Sequence, residues 1–119
     1  MDNIEIPLYR GGLNVRDWIH VADNCSALLT ILENGKDNKI YNVSAGQDFT
    51  TLEVIHEICK YMTCGHNLIK EVCEPYVTDS YRMSNNSELK RLGWSPTIKF
   101  KDGIQIATQW FLNNQWSLK

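Results

Sequence analysis

The spacing of apolar and polar positions divides this chain into short segments that predict alternating strands and helices. A weakly alternating stretch at 4–9, in which Pro7 favours a strand edge or end, precedes a turn at Gly11 and Gly12. Further extended segments are predicted over 15–21, 39–43 and 68–73. Because helical patterns separate these strands, the sequence predicts one small α/β domain with an α+β-like arrangement over 1–119.

Two of the predicted helices have clear start signals. Asp23 is the predicted N-cap of a helix over 24–34, which Gly35 ends. Thr50 and Glu53 form a capping-box pattern at the start of TTLEVIHEICKYM, the segment with the most regular helical spacing. These signals are local, so both helices are predicted without reference to the rest of the chain.

A short helix over 87–92, ended by Gly93, and a last helix over 101–115 complete the predicted elements. Each of the three longer helices carries an apolar face: Ala27, Leu28, Ile31 and Leu32 in the first, Leu52, Ile55, Cys59 and Met62 in the second, and Ile104, Ala107, Trp110 and Phe111 in the last. Trp94 is expected to pack, and Trp110 and Phe111 are expected to fill the core.

Composition narrows the class of protein. The 119 residues are 43% hydrophobic and 22% charged, which is typical of a globular domain. A net charge of −2 argues against nucleic-acid or anionic-membrane partners. The first residues, MDNIEIPLYR, lack the features of a signal peptide, so a cytoplasmic location is predicted. The cysteines are then expected to be free thiols, with Cys25 and Cys59 in the core.

Candidate catalytic and metal chemistry is sparse. The three histidines fit no catalytic triad, and the chain has neither G-x-G-x-x-G nor a Walker sequence. His20 is predicted to point away from the core. A possible metal set, His56, Cys59, Cys64 and His66, has a spacing unlike common zinc sites, and Cys59 fits the buried stripe of its helix. A structural role is therefore the preferred interpretation, with no metal bound.

Arg16 has two interpretations from the residues alone. It could form a local surface ion pair with Asp17, which is the simpler one. Its planar guanidinium could instead bind a phosphate or carboxylate in bidentate fashion.

Several motifs together resemble a known family. VRDWIHVAD, TTLEVIHEIC and LGWSP, in this order, are similar to the C-terminal part of nucleotide-sugar 4,6-dehydratases, of which the dTDP-glucose and UDP-glucose enzymes are closest. These are extended short-chain dehydrogenases/reductases of the NAD-dependent epimerase/dehydratase family. The resemblance covers nearly the whole chain. It implies a C-terminal substrate-binding lobe without the N-terminal Rossmann core, and therefore without the NAD site, the catalytic Tyr and Lys or the acid pair.

The resemblance also implies roles for individual residues. Pro7, Leu8 and Tyr9 match a segment that lines the nucleotide pocket, although Arg10 replaces the usual glycine. Arg16 matches the arginine that binds the diphosphate.

Two further positions depart from the family pattern, and a third residue could compensate for one of them. Thr51 replaces a usual asparagine at the start of a helix and keeps only one hydroxyl donor. Glu74, before Pro75, replaces an arginine near the nucleotide, which reverses a charge. Arg82 is the candidate that could compensate for this change.

Several functions follow from the resemblance. The chain is expected to be the inactive substrate-binding portion of a dehydratase, with NAD in the parent enzyme and none bound by this chain. A stand-alone module that binds a nucleotide sugar or a protein is the alternative, and a remnant or a 4-epimerase parent also stays open. The expected partners are a nucleotide sugar and either a Rossmann-domain chain or a second copy. Exposed apolar surface is expected to promote self-association.

Overall fold

A computed structural model describes residues 4–62, 66–73 and 79–114 of the chain. Within these ranges it contains five strands and four α-helices. The strands are β1 (Ile6–Tyr9), β2 (Val15–Asp17), β3 (Asp48–Thr50), β4 (Ile69–Val72) and β5 (Tyr81–Arg82). The helices are α1 (Val21–Asn34), α2 (Thr51–Met62), α3 (Ser87–Arg91) and α4 (Phe100–Asn113). The predicted mixture of strands and helices is confirmed.

The described strands form two small sheets. β1 pairs with β4 in parallel, with Ile6 beside Ile69. The second sheet has the order β3-β2-β5, in which β2 is antiparallel to β3 and parallel to β5. Arg16 lies at its centre, between Phe49 on one side and Arg82 on the other. This second sheet therefore joins residues that are far apart in sequence.

The predicted turn after β1 is a short 3-10 segment that ends at Gly12. Gly12 has φ of 70°, and a Cβ there would lie 2.7 Å from Leu8 Cδ1 and 2.9 Å from the Leu52 main-chain nitrogen. A side chain cannot fit at this distance without displacing backbone, so glycine permits the close approach of β1 to the start of α2.

α2 begins with the predicted capping box. The Thr50 main-chain N–H donates to the Glu53 carboxylate at 2.7 Å, and the Glu53 N–H donates to the Thr50 hydroxyl at 3.1 Å. The two hydrogen bonds satisfy main-chain donors at the helix start reciprocally. Val54 and Cys59 of this helix are buried, and α2 packs against α4.

The start of α1 differs from the prediction. Its N-cap is His20, which is half-buried and accepts a hydrogen bond from the Ala22 N–H at Nδ1, over 3.2 Å. Asp23 as N-cap is therefore wrong, and His20 has a capping role that its position in the sequence did not predict. Asp23 lies inside the helix because its carboxylate accepts hydrogen bonds from Thr97 and Ile98, in the segment that precedes α4.

A compact core forms where α1 meets α3. Ala27, Leu89 and Trp94 are buried together there. The Trp94 indole N–H donates to the Ser26 hydroxyl at 2.9 Å, so the ring is both packed and hydrogen-bonded. The prediction that Trp94 packs is confirmed, as is the predicted short helix, observed as α3.

Several residues predicted on apolar faces are exposed. Trp110 is 48% and Phe111 44% exposed, so their assignment to the core is wrong. Leu28 and Leu32 are also exposed, and Cys25 lies on the surface rather than in the core. Helical spacing identifies residues that share a face, but burial also requires an opposing element. In the described ranges, nothing covers these side chains fully.

The predicted strand at 39–43 is wrong, because these residues are irregular and Ile40 is 85% exposed. A strand requires a hydrogen-bonded neighbour, and no strand in the described part of the chain pairs with this segment. The extended segment predicted over 15–21 is also shorter as a strand, because strand pairing ends at Asp17 and Val21 already belongs to α1. α4 begins one residue before the predicted range, and the predicted last residue, 115, lies outside the described residues.

Candidate functional site

Arg16 projects from the central strand of the second sheet. Its guanidinium Nη1 donates to the Val15 carbonyl at 2.7 Å, and Nη2 donates to the Asp79 carbonyl at 2.8 Å. The side chain is half-buried. Both acceptors are neutral, so these hydrogen bonds orient the guanidinium without neutralising its charge.

The local ion pair with Asp17 does not form. The Asp17 carboxylate instead accepts hydrogen bonds from the main-chain N–H groups of Ala45 and Gln47, both at 2.9 Å. Successive side chains of a strand point to opposite faces of the sheet, which separates Arg16 from its neighbour. The simpler interpretation of Arg16 is therefore wrong.

Arg82 is the register neighbour of Arg16. β5 is parallel to β2 and places these two residues side by side. The Arg82 guanidinium forms an ion pair with the Asp79 carboxylate at 2.8 Å. The hydrogen bond from Arg82, its positive charge and the charge of Arg16 lower the pKa of Asp79. Two arginines thus share one contact residue, Asp79. The only sign of this contact in the local sequence is an acid three residues before Arg82.

β5 is held beside β2 by contacts other than this ion pair. The Val15 N–H donates to the Ser80 carbonyl at 2.8 Å. The Tyr81 hydroxyl donates to the Asp48 carboxylate of β3 at 3.2 Å, which links the two outer strands of the sheet. The position of the arginine pair therefore follows from main-chain pairing and one side-chain bridge.

The predicted nucleotide-pocket segment lies in the other sheet. Pro7 and Tyr9 of β1 are exposed, whereas Leu8 between them is 6% exposed. Strand alternation explains this pattern. Leu8 packs inward, and the two flanking residues provide the accessible surface of β1.

Thr51 is the first residue of α2 and is half-buried. Its main-chain N–H donates to the Asn14 carbonyl at 3.2 Å, which joins the helix start to the residue before β2. The side chain of Thr50, rather than that of Thr51, caps the helix. Glu74 and Pro75 lie outside the described residues.

An apolar groove of about 570 Å³ lies between the start of α1 and one face of α4. Gln47 fixes its floor: the side-chain amide donates to the Ile98 carbonyl at 3.0 Å, and the side-chain oxygen accepts from the Phe100 N–H. The Phe100 ring stacks on Phe49 with centroids 3.8 Å apart. The rim of the groove is lined by the exposed parts of four apolar side chains, Val21, Ile106, Trp110 and Phe111.

The candidate metal ligands do not form a cluster in the described part of the chain. Among the described residues no three His, Cys, Asp or Glu side chains converge on one point, and Cys64 of the considered set lies outside the described ranges. No described helix has the length and apolarity needed to cross a membrane.

Comparisons with known proteins give a consistent result. The family model described as the NAD dependent epimerase/dehydratase family matches residues 1–44. The dTDP-glucose 4,6-dehydratase of Streptomyces niveus is 30% identical over 116 residues, which is 97% of this chain and 34% of that protein. The chain therefore spans about a third of the length of the curated relatives that it matches.

Solved structures show the same similarity. The dTDP-glucose 4,6-dehydratase of Bacillus anthracis, in complex with NAD, is 32% identical with a TM-score of 0.84, over 97% of this chain and 37% of that one. The Streptomyces venezuelae enzyme, with NAD and TYD bound, is 26% identical with a TM-score of 0.88, over 97% of this chain and 36% of that one. The predicted resemblance to these dehydratases is confirmed.

Proposed function

Because this chain corresponds in sequence and fold to about a third of a dTDP-glucose 4,6-dehydratase, we propose that it is the substrate-binding portion of an NAD-dependent nucleotide-sugar 4,6-dehydratase. Its ligand is a nucleotide diphosphate-sugar, with dTDP-glucose or UDP-glucose as the substrate of the parent enzyme. The observation that carries this proposal is the pairing of Arg16 with Arg82 on neighbouring strands.

The chemistry of the arginine pair suits a diphosphate. A guanidinium presents parallel N–H donors that match two oxygens of one phosphate, and it stays charged at every physiological pH. The present acceptors of Arg16 are two neutral carbonyl groups, which a negatively charged phosphate can replace. Two such side chains, side by side, offer one fork to each phosphate of the ligand.

In this proposal, the other predicted site residues contact the nucleoside or hold the site in place. Tyr9 and Pro7 offer an exposed aromatic and apolar surface that suits the nucleoside. Leu8, being buried, holds this segment in place rather than contacting the ligand. Thr51 contributes the start of α2, near the strand that carries Arg16.

The accessible area and the radius of gyration of the chain both favour the proposal of a large protein partner. Its accessible area is 8554 Å², whereas a compact monomer of 13.7 kDa exposes about 6,600 Å². The radius of gyration is 16.8 Å, compared with about 13.5 Å for a compact domain of this length. We therefore propose that a Rossmann-domain unit covers the exposed apolar side chains and supplies the NAD site and the catalytic Tyr and Lys. The isolated chain is proposed to be inactive.

Binding of dTDP to the chain, measured by calorimetry, tests the proposed ligand. We expect Arg16→Gln to weaken binding about 10- to 100-fold, because a hydrogen bond to a charged group is worth about 1.5–3 kcal/mol. Arg91→Gln removes the same charge from a surface arginine that pairs with Glu88, and it is the matched control. Equal losses in the two variants, or no binding by the unaltered chain, would contradict the proposal.

Mixing the chain with a Rossmann-containing unit of a dehydratase tests the proposed partner. Turnover of dTDP-glucose that requires both components would support the enzyme-fragment function. Nucleotide binding without turnover in any such mixture would favour the stand-alone binding module instead. The 4-epimerase parent, the second-copy partner, the remnant and the cytoplasmic location stay predictions.

A further inference from the structure

Asp79 contacts both arginines of the proposed diphosphate site, but by different atoms. Its main-chain carbonyl accepts from Arg16 Nη2 at 2.8 Å. Its carboxylate accepts from Arg82 Nη2, also at 2.8 Å. The Asp79 and Arg82 side chains are 64% and 71% exposed, so solvent and solutes reach this ion pair freely.

We propose that Asp79 sets the affinity of the arginine pair for diphosphates by occupying the Arg82 guanidinium when no ligand is bound. This inference rests on the proposed function. A diphosphate that uses both arginines must displace the Asp79 carboxylate from Arg82 and then bind beside a negative charge. Both effects weaken binding. The hydrogen bond from Arg16 to Asp79 is not part of this competition, because it is made to the main-chain carbonyl.

The ion pair is not needed to hold β5 in place. Exposed ion pairs contribute little to folding. The Val15–Ser80 main-chain hydrogen bond and the Tyr81–Asp48 side-chain hydrogen bond already join β5 to the sheet. A change confined to the Asp79 carboxylate should therefore leave the arginines in register, and its main consequence should be on ligand binding.

Asp79→Asn tests the inference with little change in shape. The variant keeps the main-chain carbonyl that receives Arg16 and removes only the negative charge. We expect dTDP to bind about three- to tenfold more tightly, because an exposed ion pair and a nearby like charge each affect affinity severalfold. Asp37→Asn, which removes the same charge from the exposed turn after α1, should leave affinity unchanged. An equal gain in both variants would overturn the inference.

A double-mutant cycle separates occupation of Arg82 from general repulsion. In an Arg82→Gln background there is no guanidinium to occupy, so only the repulsion from the Asp79 charge remains, and the gain from Asp79→Asn should fall to about half or less of its value in the unaltered background. A gain of equal size in both backgrounds, or no gain in the unaltered background, would overturn the inference. If dTDP binds and Arg16→Gln weakens it while Asp79→Asn has no effect, only this inference fails. If dTDP binds to none of these chains, the proposed function fails with it.

Discussion

Asp23 is the residue that joins α1 to the segment preceding α4. Asp23 is 2% exposed, and its carboxylate accepts hydrogen bonds from the Ile98 N–H at 2.9 Å, the Thr97 N–H at 3.1 Å and the Thr97 hydroxyl at 2.8 Å. Burial by itself raises the pKa of Asp23, but these donors and the nearby His20 outweigh it, so the pKa lies below its ordinary value of 3.8. The charged form is therefore the one that stabilises the fold.

The charge of Asp23 gives a stability prediction with a pH dependence. Asp23→Asn keeps the shape but has one acceptor oxygen where the carboxylate has two, so we expect a loss of about 2–3 kcal/mol in the free energy of unfolding at pH 7. Because the folded-state pKa is depressed, the contribution of Asp23 is complete above pH 3.8 and is lost as the pH falls through the lower folded value. Urea denaturation of the unaltered chain and of Asp23→Asn at pH 7 and pH 3 measures how this loss in the free energy of unfolding depends on pH. A loss of the same size at both values would contradict it.

The arginine pair illustrates what single residues in the sequence can and cannot reveal. The family resemblance predicts Arg16 as a diphosphate ligand and Arg82 as a residue that compensates for Glu74, and the structure places the two side by side. Asp79 was not named, because it meets Arg16 only through strand pairing across 63 positions of sequence. Local spacing carries no information about such a contact. The adjacency of Arg16 and Asp17 in sequence also suggests an ion pair between them, but successive side chains of a strand point to opposite faces of the sheet and this prevents it.

At the scale of elements, the start of α2 depends on the hydroxyl of Thr50. We expect Thr50→Ala to lower the free energy of unfolding by about 1 kcal/mol, because it removes the N-cap acceptor of the Glu53 N–H. Thr30 is the matched control: it lies inside α1, and its hydroxyl only donates to the Ser26 carbonyl one turn earlier. Thr30→Ala should be neutral or slightly stabilising. Urea denaturation compares the two variants, and equal losses would argue against a capping role.

Helices were predictable here and strands much less so, for the same physical reason. The capping box and apolar spacing of α2 are local, and its predicted range is close to the observed one. The segment 39–43 has the composition of a strand but no described neighbour to pair with. β3 and β5 have only three and two residues, and they exist because β2 lies between them. Their formation depends on long-range pairing that no local pattern records.

At the scale of the whole molecule, the chain exposes more total surface than a compact monomer of its size, and several large apolar side chains lie on that surface. The rim of the groove beside α4 includes Val21 at 67%, Trp110 at 48% and Phe111 at 44% exposure. Large exposed apolar patches promote association in water. We therefore expect the isolated chain to self-associate, with an average sedimentation coefficient that rises with protein concentration.

Substitution of Trp110 should identify the groove as the associating surface. Trp110→Ser removes a large, half-exposed apolar side chain, so the fold should survive, which circular dichroism checks, while self-association weakens. Leu13→Ser is the control, because Leu13 is 68% exposed but lies after the turn that follows β1 and outside the groove. Weaker association in both variants would indicate nonspecific association through exposed apolar side chains rather than association through the groove. A chain that sediments as a sharp monomer at every concentration would show that its exposed apolar surface is too dispersed to drive association, and would weaken the argument for a covering partner.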